Sequence, residues 1–159
     1  MTLFLLNILL ALIWAFITGQ FTLANVLIGF GLGYVVILIA SPAIDNDNYV
    51  GRFWSALSLL IFFLKELVVS SIRVAIDVIK PSFKMQSGMV RIPLDAQTDV
   101  EKTLLANMIS LTPGTLSVDL SKDEKFLYIH AMYVDNGDVE AVRREIKDGM
   151  EARILKVTR

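Results

Sequence analysis

The first 44 residues contain no Asp, Glu, Lys, Arg or His, so the chain begins with a long stretch that carries no side-chain charge. Apolar runs at residues 3–17 and 23–40 are separated by the polar residues 18–22. A hydrocarbon core about 30 Å thick is crossed by a helix of roughly 17–25 apolar residues. The pattern predicts a membrane hairpin with helices over about residues 3–17 and 21–41, the second ended by Ser41-Pro42.

The rest of the chain is rich in charge. All 15 Lys and Arg and all 16 Asp and Glu lie from Asp45 onward. This asymmetry predicts a membrane domain over residues 1–81 and a soluble domain over residues 84–159. The net charge of −1 excludes a large nucleic-acid-binding surface, and the lack of cysteine excludes a disulfide framework.

A third helix is predicted over about residues 53–80, where Pro81 stops it. At 1.5 Å per residue it is roughly 40 Å long, enough to cross a membrane with a tilt. Residues 45–48 before it are acidic, whereas basic residues cluster around its far end. The positive-inside rule therefore places the soluble domain in the cytoplasm and, with three spans, the N-terminus outside. The basic residues are Arg73, Lys80, Lys84 and Arg91.

The soluble part has a β-α-β-β-α pattern. Strand periodicity appears over residues 85–94, 116–120 and 126–133, and Thr98-Asp-Val-Glu101 is a capping box that opens a helix. A final amphipathic helix follows Asn136-Gly137. The predicted fold class is three transmembrane helices followed by a small cytoplasmic α+β domain.

Four ionisable residues lie in the third helix before its last residue, Lys80, at a depth where each charge costs a few kcal/mol. They are Lys65, Glu66, Arg73 and Asp77. Arg73 and Asp77 form an i,i+4 pair that suits the cytoplasmic interface, and the alternative is that they belong to an ion path or an intersubunit contact. Lys65 and Glu66 are adjacent and point about 100° apart on a helix, which makes mutual neutralisation difficult. We expect their partners on other subunits, and a cation path is the alternative.

Two further features favour structural roles. Gly29 and Gly33 form a small-xxx-small face that predicts close helix packing, as do Ala11 and Ala15 on the first helix. His130, the single histidine, lies on a strand without acidic or cysteine neighbours, so no metal site is predicted. The sequence contains no nucleophile–base–acid set and no cofactor motif, so neither catalytic residues nor a cofactor is expected.

Thr112-Pro113-Gly114-Thr115 has the residue order of a type II turn and is predicted to shape a subunit contact, with an ion site as the alternative. Leu116-Ser-Val-Asp119 follows it directly, and Leu127-Tyr-Ile-His130 lies downstream. This run, together with the apolar hairpin, the long third helix and the overall length, resembles the E-type component (MrpE/MnhE/PhaE) of Mrp-type multisubunit Na⁺(K⁺)/H⁺ antiporters. The resemblance covers nearly the whole chain.

The resemblance implies an accessory subunit in a bacterial cell (inner) membrane that is not an enzyme. It would support assembly, and shape a cation path, in a hetero-oligomeric complex that exchanges Na⁺ or K⁺ for H⁺. The implied partners are the other subunits, the lipid bilayer and the transported ions. Two alternatives remain open: a homo-oligomeric channel or carrier that pools Lys65 and Glu66 around one pore, and a membrane-tethered cytoplasmic binding module.

Overall fold

A computed structural model describes residues 2–44, 49–80, 85–134 and 137–159 of the chain. Two compact units are present, Met1–Phe53 and Trp54–Arg159. Some residues used in the sequence analysis lie outside the described residues. They are the acidic stretch at residues 45–48, Pro81, Lys84 and Asn136. The sequence predicts a boundary between membrane and cytoplasm at residues 81–84. The compact units are defined by contacts within the chain and not by the solvent around it, so this boundary stays a prediction.

The first unit contains a helical hairpin, α1 (Thr2–Thr18) and α2 (Leu23–Ile44). Gly19 between them has φ +66°, a conformation that glycine adopts without steric cost. The Asn25 side-chain amide donates to Thr18 Oγ1 at 2.6 Å and to the Gln20 carbonyl at 2.7 Å, while its Oδ1 accepts from Trp14 Nε1 at 3.1 Å. One asparagine therefore holds the connection together.

Small residues let the two helices approach closely. A Cβ added at Gly29 would lie 2.9 Å from Trp14 Cβ, and one at Gly33 would lie 2.3 Å from Asn7 Oδ1. Ala11 and Ala15 on α1 are both buried. The same helix pair leaves large apolar side chains uncovered: Ile17, Leu23 and Ile39 are each at least 75% exposed. An apolar outer surface around a close-packed hairpin suits a hydrocarbon solvent.

Within the described residues, one helix is both long and apolar enough to cross a membrane: Leu23–Ala40 of α2, with a mean hydropathy of 2.3. Leu3–Thr18 of α1 is apolar but shorter. The expectation that Ser41-Pro42 ends α2 is wrong, because the helix continues to Ile44. Proline there removes one backbone bond and crowds the carbonyl four residues earlier, but only two residues follow it in the helix, so little helix remains to be broken.

The second unit is built around an antiparallel sheet in the order β1–β3–β2. Its strands are β1 (Gly88–Pro93), β2 (Thr115–Leu120) and β3 (Phe126–Ala131). Three helical elements accompany them: α3 (Tyr49–Ile79), which enters this unit at Trp54, α4 (Asp99–Leu111), and a C-terminal helix. That helix runs through α5 (Val139–Arg144), a π-helical segment (Glu145–Glu151) and α6 (Ala152–Thr158).

The core lies on one face of this sheet. Ile92, Leu105, Ile129 and Ile154 are completely buried, and they come from β1, α4, β3 and α6. On α3, Leu59 belongs to the same core, with Phe62 and Phe63 packed against it. The opposite sheet face remains exposed and carries Met89, Leu116, Val118 and His130. One side of α3 is therefore part of the α+β unit.

Glu101 fastens the end of the chain to the start of α4. Its Oε2 accepts from the backbone N–H groups of Gln97 and Thr98, and Thr98 Oγ1 accepts from Glu101 N–H, which completes the predicted capping box. Its Oε1 accepts from Thr158 Oγ1 at 2.7 Å and lies 3.5 Å from Arg159 Nε. These bonds, led by that from Thr158, hold the pKa of Glu101 at about 2, below its usual 4.5.

We expect Glu101→Gln to lower the stability of the full chain by about 1–3 kcal/mol near neutral pH, because buried donors lose a charged acceptor. A depressed folded pKa contributes stability above pH 4.5, and this contribution is lost as pH falls towards 2. Thermal unfolding of detergent-solubilised protein should show the gap between wild type and variant narrowing below pH 4.5. Glu140→Gln, at an exposed carboxyl, is the matched control. A gap independent of pH would contradict this account.

Candidate functional site

The Thr112–Thr115 motif ends α4 and begins β2. Thr112 Oγ1 donates to the Met108 carbonyl at 2.8 Å, and Thr115 Oγ1 donates to the Ile109 carbonyl at 2.7 Å. Both hydroxyls thus give a second hydrogen bond to carbonyl groups of the last helical turn, which also accept from the Thr112 backbone N–H. Gly114 has φ +95°, so its backbone requires glycine. The two threonines and the glycine are accounted for by local structure.

Tyr133 connects this turn to α3. A Cβ added at Gly114 would lie 3.2 Å from Tyr133 Cε2, so the ring packs directly against the glycine. The phenol donates to Asp77 Oδ2 at 2.7 Å, and the Arg73 guanidinium lies 5.4 Å from the ring centroid. Burial, reinforced by the Asp77 carboxylate, raises the pKa of Tyr133 above 10.0. The tyrosine therefore stays protonated and keeps donating to Asp77.

A small surface cavity of about 70 Å³ lies beside this contact. It brings together two groups that the sequence singled out separately, the ionisable residues of α3 and the Thr-Pro-Gly-Thr turn. Glu66, Ser70 and Arg73 line one side, and the C-terminal helix contributes a second carboxylate, Glu145. We call this the α3–turn site. The remaining polar lining consists of Thr112, Thr115 and Tyr133.

The other predicted residues lie outside this cavity or at its edge. Lys65 Nζ lies 3.9 Å from Glu66 Oε1, so the two can neutralise each other, contrary to our expectation. The long lysine stem reaches round the helix, which a comparison of Cβ directions does not capture. Asp77 Oδ1 lies 3.8 Å from Lys80 Nζ, and Asp77 Oδ2 accepts from the Tyr133 hydroxyl. Because the Arg73 guanidinium lies over the ring of the same tyrosine, Arg73 and Asp77 both contact Tyr133. Gly29 and Gly33 belong to the first unit.

Tyr133 and Glu145 are the residues that sequence reasoning missed. Tyr133 lies at the end of a predicted strand. An aromatic residue there fits the hydrophobic periodicity of the strand, so nothing in the sequence indicates a further role. Glu145 lies in a helix with many exposed charges, and nothing in its spacing distinguishes it. Both join the site through contacts between elements distant in sequence, which local periodicity does not encode.

The chemistry available at the site is that of a polar junction. Two carboxylates and one guanidinium surround the cavity together with hydroxyl groups, and several of these groups already bond to the protein's own backbone or side chains. Among the described residues, no group of three or more His, Cys, Asp or Glu is placed to hold a metal ion. The arrangement suits the joining of α3 to the sheet more than chemistry on a substrate.

We expect Gly114→Ala to lower the stability of the full chain by about 1–3 kcal/mol, since it combines backbone strain with pressure on Tyr133. Gly137→Ala is the matched control: Gly137 also has a positive φ, +74°, but no atom within 4 Å of an added Cβ. Thermal unfolding of both variants measures the difference. Equal losses would mean that the contact with Tyr133 contributes nothing beyond backbone strain.

Comparison with known proteins assigns the family. The family model described as "Na+/H+ ion antiporter subunit" matches residues 7–157. The E-type component of the Na(+)/H(+) antiporter of Alkalihalophilus pseudofirmus is 40% identical over 98% of this chain and 97% of its own length. The corresponding E1-type component from Staphylococcus haemolyticus is 34% identical over 98% of this chain and 94% of its own length.

A solved structure agrees with this assignment. A chain of the Mrp complex from Dietzia sp. DQ12-45-1b is 30% identical, with a TM-score of 0.50 over 65% of this chain and 94% of its own length. The matching region of the family model includes both the apolar hairpin and the α+β unit that holds the α3–turn site. The chain therefore belongs to the MNHE family of Na⁺/H⁺ ion antiporter subunits.

Proposed function

We propose that this chain is the E-type accessory subunit of a multisubunit Na⁺/H⁺ antiporter in the bacterial cell membrane. The whole complex would exchange Na⁺ or K⁺ for H⁺, driven by existing ion gradients. This chain would anchor and brace neighbouring subunits. Family membership over residues 7–157 supports the assignment, because it covers the apolar hairpin as well as the α+β unit.

The single observation that favours bracing is that ionisable residues of α3 contact the chain's own α+β unit. Asp77 accepts from Tyr133, and Arg73 lies over the same ring. Groups that relay ions need access to a continuous polar path, whereas the cavity beside these residues is only about 70 Å³ and opens at the surface. Arg73 and Asp77 therefore serve to hold α3 against the turn.

For the membrane arrangement, we propose two spans, α1 and α2, with α3 lying along the membrane surface. This differs from the three spans predicted from sequence. From Leu59 to Asp77, α3 contacts its own α+β unit, and at 1.5 Å per residue that stretch is about 27 Å long. A core about 30 Å thick cannot hold this stretch while a charged domain packs along it.

The α+β unit would lie in the cytoplasm. The basic residues at the end of α3 and beyond it, Arg73, Lys80 and Arg91, favour the inner side of the membrane. With two spans, the N-terminus lies on the cytoplasmic side as well. The hairpin connection at Gly19 would then face outside, where it carries no charge that would oppose translocation.

The depth of α3 can be measured directly, because the chain contains no cysteine. Spin labels on Ile61→Cys, Val68→Cys and Ile72→Cys report the exposed side of α3, and Leu32→Cys in the middle of α2 is the deep control. We expect similar, shallow depths for all three α3 labels. A steady change of depth, with Val68 as deep as Leu32, would restore the third span and contradict the surface arrangement.

The subunit role is tested by tagging the chain in its host and purifying it in mild detergent. We expect co-purification at fixed stoichiometry with several large membrane subunits. Asp77→Asn should reduce the amount of assembled complex, because α3 loses a charged contact with Tyr133. The rate of cation/proton exchange per assembled complex should remain within about twofold of wild type, because the lost contact is not part of the ion path.

Asp119→Asn, at an exposed carboxyl on β2, is the matched control and should leave assembly unchanged. Normal assembly of the Asp77 variant combined with loss of exchange would place α3 in the ion path instead. Recovery of the chain alone, or only with copies of itself, would contradict the subunit role. The homo-oligomeric channel and the tethered binding module would then become the working interpretations.

A further inference from the structure

A second, larger groove lies between the first turns of α3 and the C-terminal helix. Its volume is about 440 Å³, within the roughly 300–1,000 Å³ range of small-ligand sites. We call it the α3–α6 groove. Its polar lining includes two hydroxyls and two cations, with one carboxylate and one indole beside them. The residues are Ser55, Ser58, Arg153, Lys156, Asp148 and Trp54.

Arg153 is held in a fixed position at this groove. Its guanidinium lies 4.0 Å from the Phe62 ring centroid, and Nη1 donates to the Gly149 carbonyl at 2.7 Å. A guanidinium carries five N–H donors in a rigid fork, so these contacts orient the donors that face the groove. Lys156 follows one turn later and is partly exposed. Together they present two positive charges near two hydroxyl donors.

The chemistry of the groove fits a phosphodiester. Arg, Lys and Ser side chains are the common phosphate donors, and their charge-assisted bonds are the stronger kind. Asp148 lowers the net charge of the lining to +1, counting Arg153 and Lys156 as +2. That charge suits a monoanion. Asp148 can also accept from a hydroxylated headgroup, such as the glycerol of phosphatidylglycerol.

The surroundings point to a lipid more than to a soluble phosphate. Trp54, at the groove, is 59% exposed, and tryptophan is enriched at membrane–water interfaces. The side of α3 that faces away from the α+β unit carries a row of exposed apolar side chains. They are Ile61, Leu64, Val68, Ile72 and Ile76. An apolar row beside a cationic groove is typical of a helix that lies in the membrane interface.

Chain length allows the groove to reach a bilayer. The apolar span Leu23–Ala40 ends 14 residues before Trp54 (54 minus 40), and most of the intervening residues are helical. The four residues between Ile44 and Tyr49 reach at most about 17 Å when fully extended. With α3 on the membrane surface, as proposed above, this connection is short enough for the groove to contact lipid headgroups.

We propose that the α3–α6 groove binds the headgroup phosphate of an acidic phospholipid of the phosphatidylglycerol type. The phosphate receives bonds from Arg153, Lys156 and the two serines, while Asp148 accepts from the headgroup hydroxyls. The inference rests on the surface position of α3 proposed above. It gives the subunit a specific lipid contact in the leaflet from which α2 emerges.

Native mass spectrometry of the full chain in mild detergent tests the inference. Phosphatidylglycerol or phosphatidylcholine is added, and the retained lipid is counted as collision energy rises. We expect phosphatidylglycerol to be retained at least about tenfold more strongly than phosphatidylcholine. Only phosphatidylglycerol has headgroup hydroxyls for Asp148, and one charge-assisted bond accounts for an effect of this size. Lys156→Gln should lower the retention of phosphatidylglycerol several-fold, because the phosphate loses a charged donor. Lys122→Gln, at an exposed lysine in the β2–β3 turn, is the matched control.

The Lys156 side chain lies at the surface, so its replacement should leave the thermal unfolding midpoint unchanged, and this is measured alongside. Equal retention of the two lipids, or unchanged retention of phosphatidylglycerol by the Lys156→Gln variant, would overturn the proposal. If free glycerol 3-phosphate binds with the same affinity as the lipid, the proposal is also overturned, because the groove then recognises a soluble phosphate. The Lys156 variant should still co-purify with the other subunits, so failure of lipid binding is distinguishable from failure of the subunit role.

Discussion

The packing of Phe62 against the C-terminal helix sets which side of α3 faces the α+β unit. A Cβ added at Gly149 would lie 3.2 Å from this ring, and Arg153 stacks on it. Gly149 lies in the π-helical segment, where one wider turn brings backbone close to a neighbour. Because this contact takes one side of α3, it decides which side remains for lipid or for another subunit. Both proposed surfaces, the α3–turn site and the α3–α6 groove, follow from it.

Buried carboxylates complement a small hydrophobic core. A unit of about this size buries a modest fraction of its surface, so additional fastening matters. Glu151 is 1% exposed, and its Oε1 accepts from the backbone N–H groups of Asp95 and Ala96. Glu101 likewise accepts from the Gln97 backbone N–H at the start of α4, and it also accepts from the Thr158 hydroxyl. Each carboxylate joins the loop before α4 to the C-terminal helix. The C-terminal helix, against which α3 packs, is thereby fixed to the sheet.

Much of the fold could be predicted from sequence because it is local. The capping box at Thr98, the β2–β3 hairpin and the polar connection at Gly19 each depend on neighbouring residues whose chemistry is recognisable. What could not be predicted depends on distant contacts or on small energy differences. The extension of α2 past Pro42 adds only two residues beyond the proline, and the Lys65–Glu66 pair depends on rotamers. Tyr133 reaches Asp77 across 56 positions of sequence, which no periodicity reveals.

The distinction between a span and a surface helix shows where hydropathy stops being informative. A helix of 31 residues with few charges satisfies the length of a span, and its apolar side chains alone cannot show which solvent they meet. The informative residues are the polar ones. Glu66, Ser70 and Asp77 share a face with Leu59, and that face contacts the α+β unit. A span would place these groups against hydrocarbon or against other subunits, whereas here their own unit accommodates them. The proposed surface position of α3 therefore rests on the tertiary contacts of its polar face more than on its apolar content.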